Sequence, residues 1–179
     1  MWEGVRHMTP FPTPSHQRIE KRLVNVLTPT CDGRGLELFG EIGVYDPERK
    51  DGRSYRGPDV AIAEPEHVSD RGIEGRTILL VEIRSPRDET DAKIPFYEKV
   101  GVEAMLIIDR DTLALELRLN PVGVGGALVV AAPDAAGWLV VATLNVAFRH
   151  RTLDDGPAIE VRLPDGTTAL LSARPPRKP

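Results

Sequence analysis

Two carboxylates in extended segments raise the chemical question. Glu82 falls inside TILLVEIRSP, residues 77–86, directly behind a run of large aliphatic side chains. Alternation along an extended chain puts Ile78, Leu80, Glu82 and Arg84 on one face and Leu79, Val81, Ile83 and Ser85 on the other. Both faces are apolar ahead of Glu82, which is the pattern of a strand covered on both sides. An ionised carboxylate there costs several kcal/mol of desolvation unless it is paired or binds a metal. Two readings stay open: a structural ion pair with Arg84, or a metal at the mouth of the sheet. Asp59 opens the segment PDVAIA, residues 58–63. An aspartate in that place is ordinarily a turn residue. If the two segments are neighbouring strands, however, Asp59 and Glu82 converge on one ion, and such hard oxygen donors suit Mg²⁺ or Mn²⁺.

Phosphodiester hydrolysis at a site of this kind also needs positive charge against the transition state. Arg84 faces the same way as Glu82, but it stays protonated at any working pH and cannot serve as a base. Lys93, early in the next helical segment, can reach back toward the strand end and is the preferred catalytic lysine. The plainer reading is a solvated helix lysine. His16 and Glu20 stand at i and i+4 and share a helix face. That pair either assists the metal and positions water, or is a capping-region histidine beside a surface glutamate. Ser85 lacks the Gly-x-Ser-x-Gly setting of a nucleophile. The glycines of PVGVGG lack the strand-to-helix setting of a dinucleotide loop. His7, His67 and His150 show no ligand spacing, and Cys31 reads as a bystander.

The elements that must position these groups follow from periodicity. MWEGVRHMTPFPTP reads as a short strand or arm running into a turn. Ile19, Leu23, Val26 and Leu27 recur at helical spacing, which predicts a helix over 16–28 with Ser15 as its cap and Pro29 as its stop. LELFGEIGVYD reads as extended and DPERKDGRSYRG as a hairpin-like loop. EPEHVSDRGIEG reads as a polar connection with at most one helical turn. DETDAKIPFYEKVG predicts a second helix, capped by Thr90 or Asp91, with Pro95 near its first turn and Gly101 ending it. VEAMLIIDRD is a buried-type strand, TLALELRLN a half-exposed one, and Asp109 to Asp111 turn the chain between them. ALVVAA, GWLVVAT, IEVRL and TTALL supply further short strands, and PPRKP reads as a frayed tail. The fold class expected is α/β (α+β): a central mixed β-sheet flanked by helices, with a β-rich C-terminal extension.

Composition bounds the answer. The chain has 179 residues, 41% of them hydrophobic and 28% charged, enough for one folded domain. The single domain over 1–179 divides into a core of about 14–119, a β-rich part over 120–173 and a tail over 174–179. No apolar run approaches the roughly 20 residues of a membrane-spanning helix, and no secretory signal is recognised. One cysteine excludes an internal disulfide framework or a cysteine-rich zinc site. A cytoplasmic protein is expected. Twenty-three Lys and Arg against 27 Asp and Glu give a net charge of −4, so any grip on nucleic acid needs a local basic patch. Aromatic residues at 5% argue against a base-stacking platform. The surplus of apolar strand after residue 120 must either cover the core or form a subunit interface, and a homodimer is expected.

PDVAIA, RGIEG, LLVEIRSP and DAKIPFYEKVGVEAMLIID, with an upstream EGV and PTPSHQRI, resemble a large bacterial family of "putative restriction endonuclease"-like proteins. That family was formerly called domain of unknown function 820 and is similar to the PD-(D/E)xK nuclease superfamily. The resemblance spans about residues 2–119. It implies a restriction-endonuclease-like core, and a divalent-metal-dependent endonuclease hydrolysing phosphodiester bonds of DNA. It puts the family's metal carboxylates on Asp59 and Glu82, its helix lysine on Lys93 and its histidine on His16. The backbone carbonyl of Ile83 would be a third ligand for Mg²⁺ or Mn²⁺. The superfamily's usual lysine two residues after the glutamate is replaced by Arg84. That departure leaves open a catalytically inactive member of the fold that binds nucleic acid or a protein. A hydrolase of some other phosphoester is a third reading.

Overall fold

A computed structural model describes residues 12–49, 54–86 and 89–174. The arm over 1–11 with His7, and the tail beyond 174, lie outside them. The main sheet has six strands in the order β1 (Glu37–Gly40), β4 (Val60–Ala63), β7 (Leu79–Arg84), β8 (Ala104–Asp109), β9 (Leu115–Leu119) and β10 (Val129–Val130). Only β7 and β8 run parallel, because helix α2 (Thr90–Val100) carries the chain across between them; the other pairs are antiparallel. The sheet is therefore mixed, as expected. A small sheet of β3 (Tyr55–Arg56), β2 (Val44–Tyr45), β6 (Gly72–Glu74) and β5 (Val68–Ser69) lies beside it in the chain.

Strand alternation sorts the core into two faces. Val60 and Ile62, Leu79, Val81 and Ile83, and Leu106 and Ile108 share one buried cluster with Ile19, Leu23, Leu27 and Cys31 of helix α1 (Pro14–Asp32). Ala61 and Ala63, Leu80, Met105 and Ile107 share the other with Phe96, Tyr97 and Val100 of α2. Two covered faces explain why these strands read as continuous apolar runs. The third sheet comprises β11 (Leu139–Val141), β12 (Val146–Leu153), β13 (Gly156–Arg162) and β14 (Thr168–Leu171), and it adds Val141, Phe148, Ile159 and Val161 to the α1 cluster. Part of the apolar C-terminal sequence thus covers the core, while Val129 and Val130 of β10 stay exposed at 59% and 55%.

Several boundaries differ from the expectation. Helix α1 starts at Pro14, capped by Thr13 rather than Ser15, because proline's fixed φ and missing N–H suit a first helical position. It also runs through Pro29 to Asp32, since burial of Cys31 outweighs one lost intrahelical bond. Helix α2 takes Thr90 and Asp91 inside it and Pro95 into its second turn, with Gly101 closing it in the left-handed conformation at φ 83°. The polar connection after residue 63 holds a 3₁₀ turn, Pro65–His67, and the two short strands β5 and β6. The eight-residue β12 was hidden, because VAFRHRTL carries only three buried residues at its start.

Candidate metal and catalytic site

Register brings the two carboxylates together. β4 and β7 pair antiparallel with Val60 opposite Val81, so Asp59, one residue before β4, lies level with Glu82 near the end of β7. The Asp59 backbone is fixed on both sides: its N–H donates to Val81 O at 3.1 Å and its carbonyl accepts from Glu41 N at 3.0 Å. The Asp59 carboxylate then takes the Ile83 amide on Oδ2 at 2.5 Å and contacts His16 Nε2 through Oδ1 at 2.9 Å. His16 sits in the first turn of α1, where its own N–H donates to Thr13 Oγ1 at 3.4 Å. The helix cap therefore aims the imidazole at the strand end.

Glu82 is 3% exposed. Lys93 Nζ donates to both of its oxygens, at 2.8 and 2.7 Å, and to Gly57 O at 3.2 Å. The buried Tyr97 hydroxyl donates to Glu82 Oε1 at 2.7 Å. Lys93 and Tyr97 are one helical turn apart on α2, so a single face delivers both donors. The open choice about Glu82 is thereby corrected on one side. Arg84 does not pair with it but reaches Asp91 Oδ1 at 2.5 Å, because at the strand end its longer side chain meets the first turn of α2.

Burial first, and neighbouring charges second, shift the ionisable groups at this corner. Burial pushes Glu82 up to about 7, the Lys93 charge and hydrogen bond pull it down, and the neighbouring Asp59 charge raises it. Burial and the Glu82 charge hold the Tyr97 phenol well above its ordinary value. For His16, burial lowers the imidazole pKa, but the Asp59 hydrogen bond and the charges of Asp59 and Glu20 outweigh it and the net shift is upward. Burial and the charges of Glu41 and Asp59 raise Glu20. Glu20 packs against Gly40, where an added Cβ would lie 2.8 Å from its Oε1.

The donor set fits a hard divalent cation. Asp59 and Glu82 bring two carboxylates to one strand end, oxygen donors of the kind a hard cation takes, with His16 and Lys93 set against them. The Ile83 amide faces Asp59, and in a strand a residue's carbonyl turns to the same side as its amide. Each carboxylate retains lone pairs beyond its present hydrogen bonds.

Asp59, Glu82, Lys93 and His16 meet at this corner with the Ile83 amide, while Arg84 turns to Asp91. Tyr97 was missed, and its spacing of four from Lys93 was the available signal. Glu64, Glu66 and His67 form a separate group with ligand atoms within 4.8 Å of one another, where the sequence showed no ligand spacing. They follow the far end of β4, where Arg76 and His67 already engage Glu64. Ser85 accepts from Arg110 at 3.4 Å. His150 lies against Thr112 O at 3.2 Å, and Cys31 is buried in the core. No helix among the described residues is long and apolar enough to cross a membrane.

A family model, Uma2, described as "Putative restriction endonuclease", matches residues 3–148. The structure is similar to the crystal structure of a "putative nuclease" of domain of unknown function 820 from Anabaena variabilis, with a TM-score of 0.61 and 17% identity over 80% of each chain. At that identity the likeness shows the fold, which is restriction-endonuclease-like. No curated protein matches the chain.

Proposed function

We propose, from the premise that the chain belongs to the Uma2 family of "putative restriction endonucleases", that it is a divalent-metal-dependent endonuclease hydrolysing phosphodiester bonds of DNA. The observation that carries this reading is the convergence of Asp59, Glu82 and Lys93 at one strand end, with Lys93 Nζ 2.7 Å from Glu82. Asp59, Glu82 and the Ile83 carbonyl would hold Mg²⁺ or Mn²⁺. When bound, the ion would supply a water of lowered pKa and polarise a phosphate oxygen. Lys93 offsets negative charge developing on the phosphoryl oxygens and orients the attacking water. His16 fixes the Asp59 carboxylate, and Tyr97 fixes that of Glu82. With its guanidinium held by Asp91, Arg84 leaves the lysine's role to Lys93.

A second reading has its own observation. Both Glu82 oxygens are engaged by Lys93, and both Asp59 oxygens by His16 and the Ile83 amide, as in a purely structural network. A non-catalytic nucleic-acid-binding module would carry it unchanged.

Calorimetric titration with Mn²⁺, beside the Asp59→Ala/Glu82→Ala double variant, separates the two. The nuclease reading expects saturable binding that the variant loses, and nicking of supercoiled plasmid by the wild type alone. Equal nicking by both proteins would overturn it, and metal-independent DNA binding without nicking would favour the module.

A further inference from the structure

The six-stranded sheet ends in an open apolar edge. β10 pairs with β9 alone, and among the described residues no strand lies on its other side. The Ala131 N–H still donates to Leu117 O at 2.8 Å, so the extended run continues past Val130. Antiparallel alternation then turns the N–H and carbonyl groups of Val130 and Ala132 away from β9, toward the open side. Leu128 has the same direction but is occupied. Its N–H donates to Glu98 Oε1 at 2.8 Å, and its carbonyl accepts from Arg118 Nη1 at 3.4 Å. Pro133 has no N–H to offer, so the open ladder is confined to residues 130–132.

The side chains along this edge are as bare as its backbone. Val129 and Val130 are 59% and 55% exposed, and alternation sends them to opposite faces of the sheet. The loop from β9 to β10 adds Val122 and Val124, at 79% and 76%. These are four of the six large apolar side chains left exposed among the described residues. The loop cannot simply fold its valines inward, because it is tied down. Asn120, 7% exposed, donates to Gly123 O at 2.7 Å and accepts from the Val122 and Gly123 amides at 3.0 and 2.9 Å. The Gly125 N–H donates to Glu98 O of α2 at 3.0 Å. Such a loop is ordered before any partner arrives, which lowers the entropy lost on binding.

Charge selects the occupant. Residues 121–133 hold no charged side chain. Other sheet edges are guarded in the usual way: β1, at the opposite edge of the same sheet, opens on Glu37, and the chain leaving β14 is held by Arg22, which donates to the Ser172 and Arg174 carbonyls. A stripe without a cation has nothing to hold a phosphate backbone, so nucleic acid is not what it fits. It does fit itself. A two-fold axis sets each residue beside its own copy, and a neutral stripe meets there without the like-charge repulsion that a charged edge would bring.

We propose that this edge is a self-association surface, on which β10 pairs antiparallel with β10 of a second copy about a two-fold axis near Ala131. The Val130 N–H then donates to the carbonyl of the partner's Ala132, the Ala132 N–H to that of the partner's Val130, and the same two bonds return by symmetry. The two main sheets join into one, and both valines of β10 gain a neighbouring strand to pack beside. The surface lies three strands from β7, so pairing leaves the corner of Asp59 and Glu82 uncovered. It stands whether or not that corner cleaves DNA.

Sedimentation velocity of the full chain over a dilution series reads the association directly. Wild type is expected to sediment at twice the chain mass and to dissociate on dilution. Val130→Lys and Val130→Glu each set like charges across the axis and are expected to weaken association about tenfold or more. Diagonal neighbours on paired strands lie about 7–8 Å apart, within reach of long side chains. An equimolar mixture of the two variants is therefore expected to recover the dimer, which also shows that both are folded. Leu170→Lys places the same charge at an exposed apolar position on β14 and is expected to leave the dimer intact. A dimer that both Val130 variants keep, one that Leu170→Lys loses equally, or a mixture that stays monomeric overturns the pairing. So does an open series of larger species, since a two-fold contact closes at two copies. A wild type that is monomeric throughout overturns it as well, and leaves the edge to a different partner.

Discussion

Replacing Lys93 by Met keeps most of the aliphatic stem and removes the ammonium that holds Glu82. In the folded chain Glu82 titrates near 7, above its ordinary 4.5, with burial as the main cause. The sign follows from proton counting. Between those two values the folded state keeps a proton that the unfolded state has released, so stability falls as pH rises through that window and levels off above it. The fall amounts to about 3 kcal/mol for the wild type. Without Lys93, the two strongest influences that lower the Glu82 pKa vanish, and the carboxyl holds its proton to a higher pH. The falling window then extends upward, and the variant's deficit against wild type grows by about 1.4 kcal/mol for each pH unit above about 7. At about pH 5.5 both proteins carry a neutral Glu82, so the deficit reduces to the lost hydrogen bonds of Lys93 to Glu82 and to the Gly57 carbonyl, about 1 kcal/mol each. Urea unfolding in EDTA, followed by tryptophan fluorescence at about pH 5.5, 7 and 8.5, reads the difference directly. A deficit that stays constant across those pH values would show that Lys93 does not govern the Glu82 charge, and the account of the site would fail with it.

Two further outcomes follow from the helix that carries His16. Pro29 is exposed inside α1 and cannot donate to the carbonyl one turn back, so Pro29→Ala is expected to stabilise the protein by about 1–2 kcal/mol, read as a raised urea midpoint at unchanged m. An unchanged or lowered midpoint would mean that the packing of Cys31 depends on the proline. Cys31 is 1% exposed and burial pushes its thiol up to about 11. A thiol reagent at about pH 8 is therefore expected to leave the native protein unlabelled and to label the urea-unfolded chain; rapid native labelling would contradict the burial.

How much of this was legible depended on whether the signal was local. Glu82 announced itself because a carboxylate behind Ile78, Leu79, Leu80 and Val81 contradicts its surroundings, and only a partner can resolve the conflict. The covering of both sheet faces was equally plain from the same run. What Glu82 pairs with was not local. Arg84 is two residues away in sequence, but Lys93 and Tyr97 reach Glu82 only after α2 has folded back over β7. Short strands such as β5 and β6 carry two and three residues each, too few for a period to show, and they exist because β2 offers an edge to pair with. The end of α1 was misplaced for a related reason: propensity stops a helix at Pro29, whereas the buried place of Cys31 continues it.

The place of Arg84, two residues after Glu82 on β7, becomes intelligible from the same geometry. Strand alternation does put residues 82 and 84 on one face, but β7 ends at Arg84, and that side chain is 32% exposed while Glu82 is sealed. A guanidinium there has Asp91 in the first turn of α2 within reach, and it spans that gap at 2.5 Å. The pair is worth little as energy, since its aspartate is 73% exposed. Its consequence is positional: it ties the start of α2 to the end of β7, two residues before Lys93 on the same helix. The lysine then enters from the helix side, where its ammonium donates to the Gly57 carbonyl and to the Glu82 carboxylate that Tyr97 also holds. Arginine on the strand and lysine on the helix thus act as one arrangement, in which the first places the element that delivers the second.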